Sequence, residues 1–425
     1  MAFARLKVLT ATAAIGFFAA QQALAVDMDT LEPYKMLRSL QFVQDSVVVG
    51  DHSATDMQRF MLGTIDKRLR DSDPSAFDEV RNVDAALIYA MSGGNPATLE
   101  YLTAHDINGN FDSRVSDALR KYLSGKGALI AKTLADIAVE YKNSRMGPYL
   151  ALVAGNVTVT TEPAKALEFY DWARLTAPGT IIEEAALRRS LAVAVEANMV
   201  DKALGYSQRY ARRFLHSPYA SQFADLFVQL AADHYEELSE SDILATLGFM
   251  DADRQREVYL RIARKAAIDG NTELAGLAAE KASSISGEAN DNLAALAKLY
   301  GGVADISTAE VGDVIKSISA IPDSMLTPSD RALRSAAEMV AREVLRPPVP
   351  ESLTQADGDR PLSSEEVVAE GEAPLQDPTL AAPQAVAAKA PDIEAPNVDP
   401  EFKTFVTKGR SKLDEIDSLL AEEGN

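Results

Sequence analysis

The chain contains no cysteine among its 425 residues. This absence excludes disulfides, thiolate metal ligands, a cysteine nucleophile and a lipid anchor attached through cysteine. Basic residues are also in deficit, because 42 Lys and Arg stand against 63 Asp and Glu, for a formal net charge of −21. Since phosphate backbones attract basic surfaces, a chain this acidic is a poor candidate for binding nucleic acid.

Histidine is scarce as well, and catalytic motifs are absent. None of His52, His105, His216 and His234 has a second histidine at the spacing of a metal site. The segment 233–237 comes nearest to a ligand cluster, and we interpret it as a solvated helix face. No nucleophile elbow, phosphate loop or dinucleotide-binding motif occurs. The sequence therefore predicts a protein that is not an enzyme, with no catalytic, cofactor or metal residues.

The N-terminus has the pattern of a secretory signal peptide. Arg5 and Lys7 precede an apolar run, residues 8–20, and a small-x-small pattern that ends at Ala25. The run is shorter than the about 20 residues that a membrane-spanning helix needs, and no later stretch is apolar enough. We expect cleavage after Ala25, export to the periplasm, and no stable membrane insertion of the mature chain 26–425.

Apolar residues from 26 to 345 recur at intervals of three and four, which predicts an all-α fold. The first such stripe is Leu31, Tyr34, Leu37, Leu40, Val43 and Val47. Thr55 and Gln58 have the spacing of a capping box, ahead of Met57, Phe60, Met61 and Leu69. The stretch 157–161 has the highest strand propensity, and we interpret it as a connector between helices.

Helix-length runs separated by short connectors follow from residue 163 onward. They are 163–176, 181–198, 201–215, 219–237, 253–269, 272–284 and 290–300. The sequence of 165–169 also resembles that of 202–206, at an offset of 37 residues. This period is typical of tetratricopeptide-like (TPR-like) repeats. We predict stacked antiparallel helix hairpins, either a TPR-like α-solenoid or an irregular helical array.

The composition changes after the helical body. Residues 346–400 contain ten of the 19 prolines, with 11 acidic and 3 basic side chains, and no aromatic residue occurs from 301 to 401. Such a segment cannot bury enough surface to offset the entropy of ordering. The sequence therefore predicts a disordered, acidic, proline-rich linker over 346–399.

An amphipathic helix is predicted at the C-terminus, over 400–425. Its apolar stripe consists of Phe402, Phe405, Val406, Leu413, Ile416, Leu419 and Leu420. Because a helix of about 20 residues is marginal alone in water, this stripe needs a partner. Two interpretations stay open: the stripe binds a groove on another protein, or it docks on the body of its own chain.

Two basic clusters stand out in this acidic chain. The first contains Arg209, Arg212 and Arg213, and the second spans 254–265. They are either ordinary polar helix faces or docking strips for an acidic partner or for the acidic linker. Together with the C-terminal stripe, the first cluster gives the candidate partner-binding residues.

The predicted organisation has five parts: signal peptide 1–25, N-terminal helical region 26–160, TPR-like region 161–345, linker 346–399 and C-terminal helix 400–425. Within it, residues 31–51 and 214–223 resemble the MotC family of motility proteins from rhizobial-type bacteria, and the layout matches as well. The resemblance implies a periplasmic accessory of the flagellar motor that partners the periplasmic domain of the stator protein MotB. It implies no catalytic residues. The alternatives are a helical-repeat adaptor of another envelope complex and a peptidoglycan-cleaving enzyme.

Overall fold

The computed structural model describes residues 31–285, 292–306 and 311–346, and within these ranges the chain forms α-helices and no strand. The helices are α1 (Pro33–Val48), α2 (Ala54–Arg70), α3 (Val80–Met91), α4 (Pro96–Ala104), α5 (Ser113–Leu123), α6 (Ala131–Glu140), α7 (Gly147–Thr158), α8 (Pro163–Thr176), α9 (Ile181–Glu196), α10 (Val200–Arg213), α11 (Ala220–Asp233), α12 (Glu240–Leu247), α13 (Ala252–Asp269), α14 (Thr272–Ser284), α15 (Asn292–Asp305), α16 (Val311–Ser319) and α17 (Pro328–Val344). Short 3₁₀ helices occupy Pro74–Asp78, Gly127–Ile130 and Asp323–Met325. The all-α prediction is confirmed. The predicted signal peptide and C-terminal helix, and the linker beyond Arg346, lie outside the described residues.

The helix ends that the sequence predicted correctly are determined by capping residues, proline and glycine at those ends. Helix α8 begins at Pro163, whose fixed φ suits a first turn, and α14 follows the N-cap Asn271, whose side chain accepts a hydrogen bond from the N–H of Leu274 at 3.0 Å. Gly270, with φ +79°, ends α13 in the left-handed conformation that favours glycine. Both α8 and α14 have the predicted bounds.

One local prediction is wrong, and the predicted connector over 157–161 holds only for 159–161, which form turns. Helix α7 continues through Val157 and Thr158, because both side chains are buried in the core and burial outweighs their strand propensity. Thr158 also donates its hydroxyl hydrogen bond back to the carbonyl of Ala154 at 2.9 Å. The capping box at Thr55 and Gln58 does not form, since α2 already begins at Ala54.

The repeat with an offset of 37 residues is visible in the fold. Helices α8 and α10 begin at residues 163 and 200 and are both 14 residues long. Ala166 and Ala203 are buried at equivalent positions, as are Phe169 and Tyr206. Many helices pack against the next, as in α8–α9–α10, and some also pack against the next but one, as α13 does against α15. Helix α1 also contacts α9, so the array is irregular rather than a simple solenoid.

Candidate partner-binding surface

Helix α10, which carries the first arginine cluster, is fixed from its inner side. The buried Tyr210 hydroxyl donates to Oε1 of Glu184 at 2.8 Å, and Arg188 Nε donates to the same oxygen at 3.0 Å. The Tyr210 ring stacks on Phe223 of α11 with centroids 4.5 Å apart. Burial, and then the Glu184 carboxylate, raise the pKa of Tyr210 well above its ordinary range. The phenol therefore stays protonated and keeps its hydrogen bond.

The outer side of α10 presents Arg209, Arg212 and Arg213, all exposed. Arg213 pairs with Glu183 of α9 at 2.8 Å. Arg209 donates only to the carbonyl of Gly205, at 2.7 Å, and the Arg212 guanidinium lies 5.6 Å from the ring centre of Phe249. Neither Arg209 nor Arg212 pairs with an acid in the part of the chain that the structure describes. Two positive charges are therefore available to an acidic partner.

The second basic cluster has a different role. Arg264 pairs with the buried Asp330 at 3.1 Å, Lys265 pairs with Asp233 at 2.9 Å, and Arg261 pairs with Asp225. These contacts join α13 to α17 and to α11. Arg261, Arg264 and Lys265 thus have acidic partners within the body, which favours the polar-face interpretation for this cluster.

Exposed apolar side chains mark the α1–α2 hairpin. Phe42 is 74% exposed and Phe60 is 62% exposed, and Val49 and Met57 are more than half exposed. On α1, Phe42 lies opposite the buried Leu40, since each is 200° from the other around a helix. Sequence reasoning did not single out Phe42 and grouped Phe60 with the core stripe of α2. A helical wheel of α1 would have found Phe42.

The α1–α2 loop contacts the loop after α10. A Cβ placed on Gly50 would lie 2.9 Å from Cβ of His216, so a larger residue would clash with that side chain, and the φ of +119° also favours glycine. His52 and Leu215 line a shared cavity of about 250 Å³. Helix α1 also contacts α9, and Asp45 Oδ1 accepts a hydrogen bond from the N–H of Ile181 at 2.9 Å. Burial raises the pKa of Asp45, and this N–H opposes the shift.

The contact of Gly50 with His216 places the loop that follows α1 against the loop that follows α10, the helix that carries the arginines. Val49 precedes Gly50, and Arg213 lies three residues before His216. We group the exposed apolar residues of the α1–α2 hairpin with the arginines of α10 and call them the junction surface. It consists of Phe42, Val49, Met57, Phe60, Arg209, Arg212 and Arg213. The other candidate residues, Phe402, Phe405, Val406, Leu413, Ile416 and Leu420, lie outside the described residues. The two stretches that carried the family resemblance, 31–51 and 214–223, meet at this junction.

The segment 233–237 does not form the single helix face that we predicted. Helix α11 ends at Asp233, and His234 Nδ1 contacts Oε1 of Glu237 at 3.2 Å in the loop that follows. Among the residues that the structure describes, no group of three or more His, Asp or Glu side chains is arranged to hold a metal ion. In the same ranges, no helix has both the length and the apolar character to cross a membrane.

The stacked helix pairs place the protein in the class of all-α helical arrays. A family model described as Chemotaxis protein MotC matches residues 2–425. Chemotaxis protein MotC of Rhizobium meliloti (strain 1021) is 52% identical over 426 residues, which cover 98% of each chain. The chain belongs to the MotC family of chemotaxis proteins, and the resemblance is confirmed. The name denotes a motility protein rather than an enzyme family, and no solved structure matches.

Proposed function

We propose that the protein is a non-enzymatic periplasmic motility protein that binds and positions the periplasmic domain of the stator protein MotB, and that motor rotation needs it. The observation that carries this proposal is membership of the MotC family along the whole chain. The signal-peptide pattern that ends at Ala25 supports the periplasmic location. The all-helical array supports a binding role, because such arrays expose extended surfaces to partners.

The junction surface is the part of the described body that we assign to MotB. Aromatic and arginine side chains dominate the binding energy of protein interfaces. Phe42 and Phe60 expose most of their surface in the free protein, and burying each ring is worth about 2 kcal/mol from the area removed from water. Arg209 and Arg212 add attraction to an acidic surface, which falls as salt screens the charges.

The test is direct binding of the mature chain 26–425 to the purified periplasmic domain of MotB. We expect saturable binding that Phe42→Ser and Phe60→Ser each weaken about tenfold or more, as for central aromatic anchors. The matched control is Leu129→Ser, because Leu129 is 82% exposed on a different part of the body. Equal losses in the control would contradict the assignment of the surface. Absence of binding by the unaltered chain would contradict the partner and favour the adaptor of another envelope complex.

The arginines are tested through the salt dependence of the same binding. Arg209→Ser and Arg212→Ser should weaken binding mainly at low salt, since each removes a charge without an acidic partner in the described body. Lys121→Ser is the charge-matched control, because Lys121 is exposed on α5. An effect of the arginine changes that does not vary with salt would argue against electrostatic attraction.

The motor assignment is tested in cells. An in-frame deletion should abolish swimming, and the unaltered gene should restore it. Swimming that persists in the deletion strain would refute the proposal. Cleavage of purified peptidoglycan by the purified chain would support the enzyme alternative instead.

A further inference from the structure

A cleft of about 500 Å³ lies between α1, α3, the α6–α7 loop and the end of α8. Its lining includes Leu37, Ala85 and Ile88, which are all buried, so the floor of the cleft is apolar. The charged and polar lining residues are half-buried or exposed, and they include Arg38, Gln41, Arg81, Asp84, Ser144 and Arg145. An apolar cleft of this size with a few polar groups is typical of sites for small molecules.

Two arginines of this cleft have no partner in the body. Arg38 and Arg145 are exposed and make no hydrogen bond, ion pair or ring contact within the described ranges 31–285, 292–306 and 311–346. Every other arginine of those ranges makes at least one such contact. The two guanidinium groups that the fold leaves unused therefore line the same cleft.

An acidic side chain of the cleft is unpaired as well. Asp84 on α3 is half-buried and makes no hydrogen bond or ion pair with the residues that the structure describes. Burial raises the pKa of Asp84, and the charge of Arg145 opposes that shift, so the two groups interact without forming an ion pair. Within the described body, the cleft thus has a carboxylate without a donor and two guanidinium groups without an acceptor.

The surroundings of these three groups are held in place. The Arg81 guanidinium lies 4.2 Å from the ring centre of Tyr34, and Gln41 Nε2 donates to Tyr149 Oη at 2.7 Å. The first turn of α7 lines the cleft through Pro148, and the positive end of a helix dipole favours a negative group there. A site whose walls are fixed before a ligand binds loses less free energy on binding.

We propose that this cleft binds a small zwitterionic ligand of the amino acid or short-peptide class. The carboxylate of the ligand accepts hydrogen bonds from Arg38 and Arg145, because guanidinium groups match the geometry of carboxylates. The ammonium group of the ligand donates to Asp84, and an apolar side chain covers the floor. A dianion suits the cleft less well, because it would place a second negative charge beside Asp84.

The test is ligand-observed NMR of the mature chain 26–425 with the standard L-amino acids and with a library of dipeptides. We expect saturable binding of at least one free ligand, and a loss of about tenfold or more when its amino group is acetylated or its carboxyl group is amidated. Binding of amino acids alone or of dipeptides alone identifies the source of the zwitterion, and either result supports the proposal. Absence of binding up to about 1 mM ligand would overturn it.

Variants of the cleft show whether the named side chains make the contacts. Asp84→Asn should weaken the free ligand by about tenfold and leave its acetylated form unchanged, because Asp84 contacts only the ammonium group. Arg145→Gln should weaken the free ligand and leave its amidated form unchanged, for the matching reason. Arg59→Gln is the control, since the Arg59 side chain is 77% exposed on α2. Equal losses for the free and blocked ligands, in variants whose unfolding midpoints are unchanged, would overturn the proposal.

MotB binding separates this proposal from the proposed function, because Arg38 lies one turn before Phe42 on α1. If Arg38→Gln and Arg145→Gln weaken MotB binding while no amino acid or dipeptide binds, the two arginines belong to the partner interface and the zwitterion site is refuted. If the chain binds a zwitterion but not MotB, the proposed function fails and the assignment of the cleft stands.

Discussion

Replacing Asp330 by Asn should destabilise the C-terminal end of the body. In the native protein Asp330 is 3% exposed, and one carboxylate oxygen accepts from both Tyr300 and Arg264. The other oxygen accepts from the Thr327 hydroxyl at 2.5 Å. An amide cannot reproduce this arrangement, because its NH₂ group presents donors to a site that already holds donors.

The size of the expected loss in unfolding free energy depends on how exposed Arg264, the ion-pair partner of Asp330, is. Removing one member of a buried ion pair costs about 3–5 kcal/mol when the other charge stays buried. The Arg264 side chain is 39% exposed, so water can solvate part of the abandoned guanidinium. We therefore expect a loss of about 2–3 kcal/mol in the free energy of unfolding, below the fully buried case.

The pH dependence gives a second check on the same variant. Burial raises the pKa of Asp330, but hydrogen bonds from Thr327, Tyr300 and Arg264 outweigh burial and hold the pKa below its usual value. A depressed carboxyl pKa stabilises the fold above the unfolded value of about 3.9, and this stabilisation is lost as pH falls through the folded value. The difference in unfolding free energy between the native protein and Asp330→Asn should therefore be largest at pH 7 and should decrease below about pH 4.

Unfolding in guanidinium chloride, followed by circular dichroism, measures both the loss of unfolding free energy and its dependence on pH. Asp56→Asn is the control, because the Asp56 side chain is 89% exposed in its pair with Arg59. We expect the control to change the unfolding free energy by less than about 0.5 kcal/mol. If Asp330→Asn matches the control at pH 7, the account of how α17 is anchored is wrong.

Three further substitutions test the packing of the array, all by thermal and chemical unfolding. Tyr210→Phe removes the hydroxyl that donates a hydrogen bond to Glu184 and should lower the free energy of unfolding by about 1–2 kcal/mol. An unchanged unfolding midpoint would show that this hydrogen bond does not stabilise the fold. Gly155→Ala should cost about 1–3 kcal/mol, because the new Cβ would overlap the buried Tyr170 ring. Gly276→Ala on α14 meets no atom within 4 Å and should instead stabilise by about 0.5–1 kcal/mol, so equal effects of the two alanines would contradict the packing argument.

The sequence predicted the parts of the fold that neighbouring residues determine. Pro163 and Asn271 act on the first turn of their own helices, so α8 and α14 have the predicted ends. Helix α12 was missed, although Ser239 and Asp242 form a capping box that the sequence already contains. Val157 and Thr158 were predicted to lie in a connector but belong to α7, because their burial depends on helices that pack from elsewhere in the chain.

The junction surface was predictable only in part, because it also depends on contacts between residues far apart in the sequence. The clustering of Arg209, Arg212 and Arg213 is visible in the sequence, and the structure adds which of them has an acidic partner. The proximity of Gly50 to His216 is a long-range contact that no local pattern encodes. Periodicity shows that a residue lies on an apolar or polar side of a helix, whereas exposure depends on which neighbours pack against it.

The hydrogen bond from Ile181 to Asp45 has a consequence for how the chain folds. It joins residues 136 positions apart, in an array whose other helix contacts are mostly between neighbours. Closing a loop of that length costs about 4 kcal/mol of chain entropy if the intervening residues are unfolded. The cost falls once α2 to α8 have stacked, so this closure should form late. A stack of independent repeats can unravel from its ends, whereas here opening the first hairpin also disturbs the middle of the array.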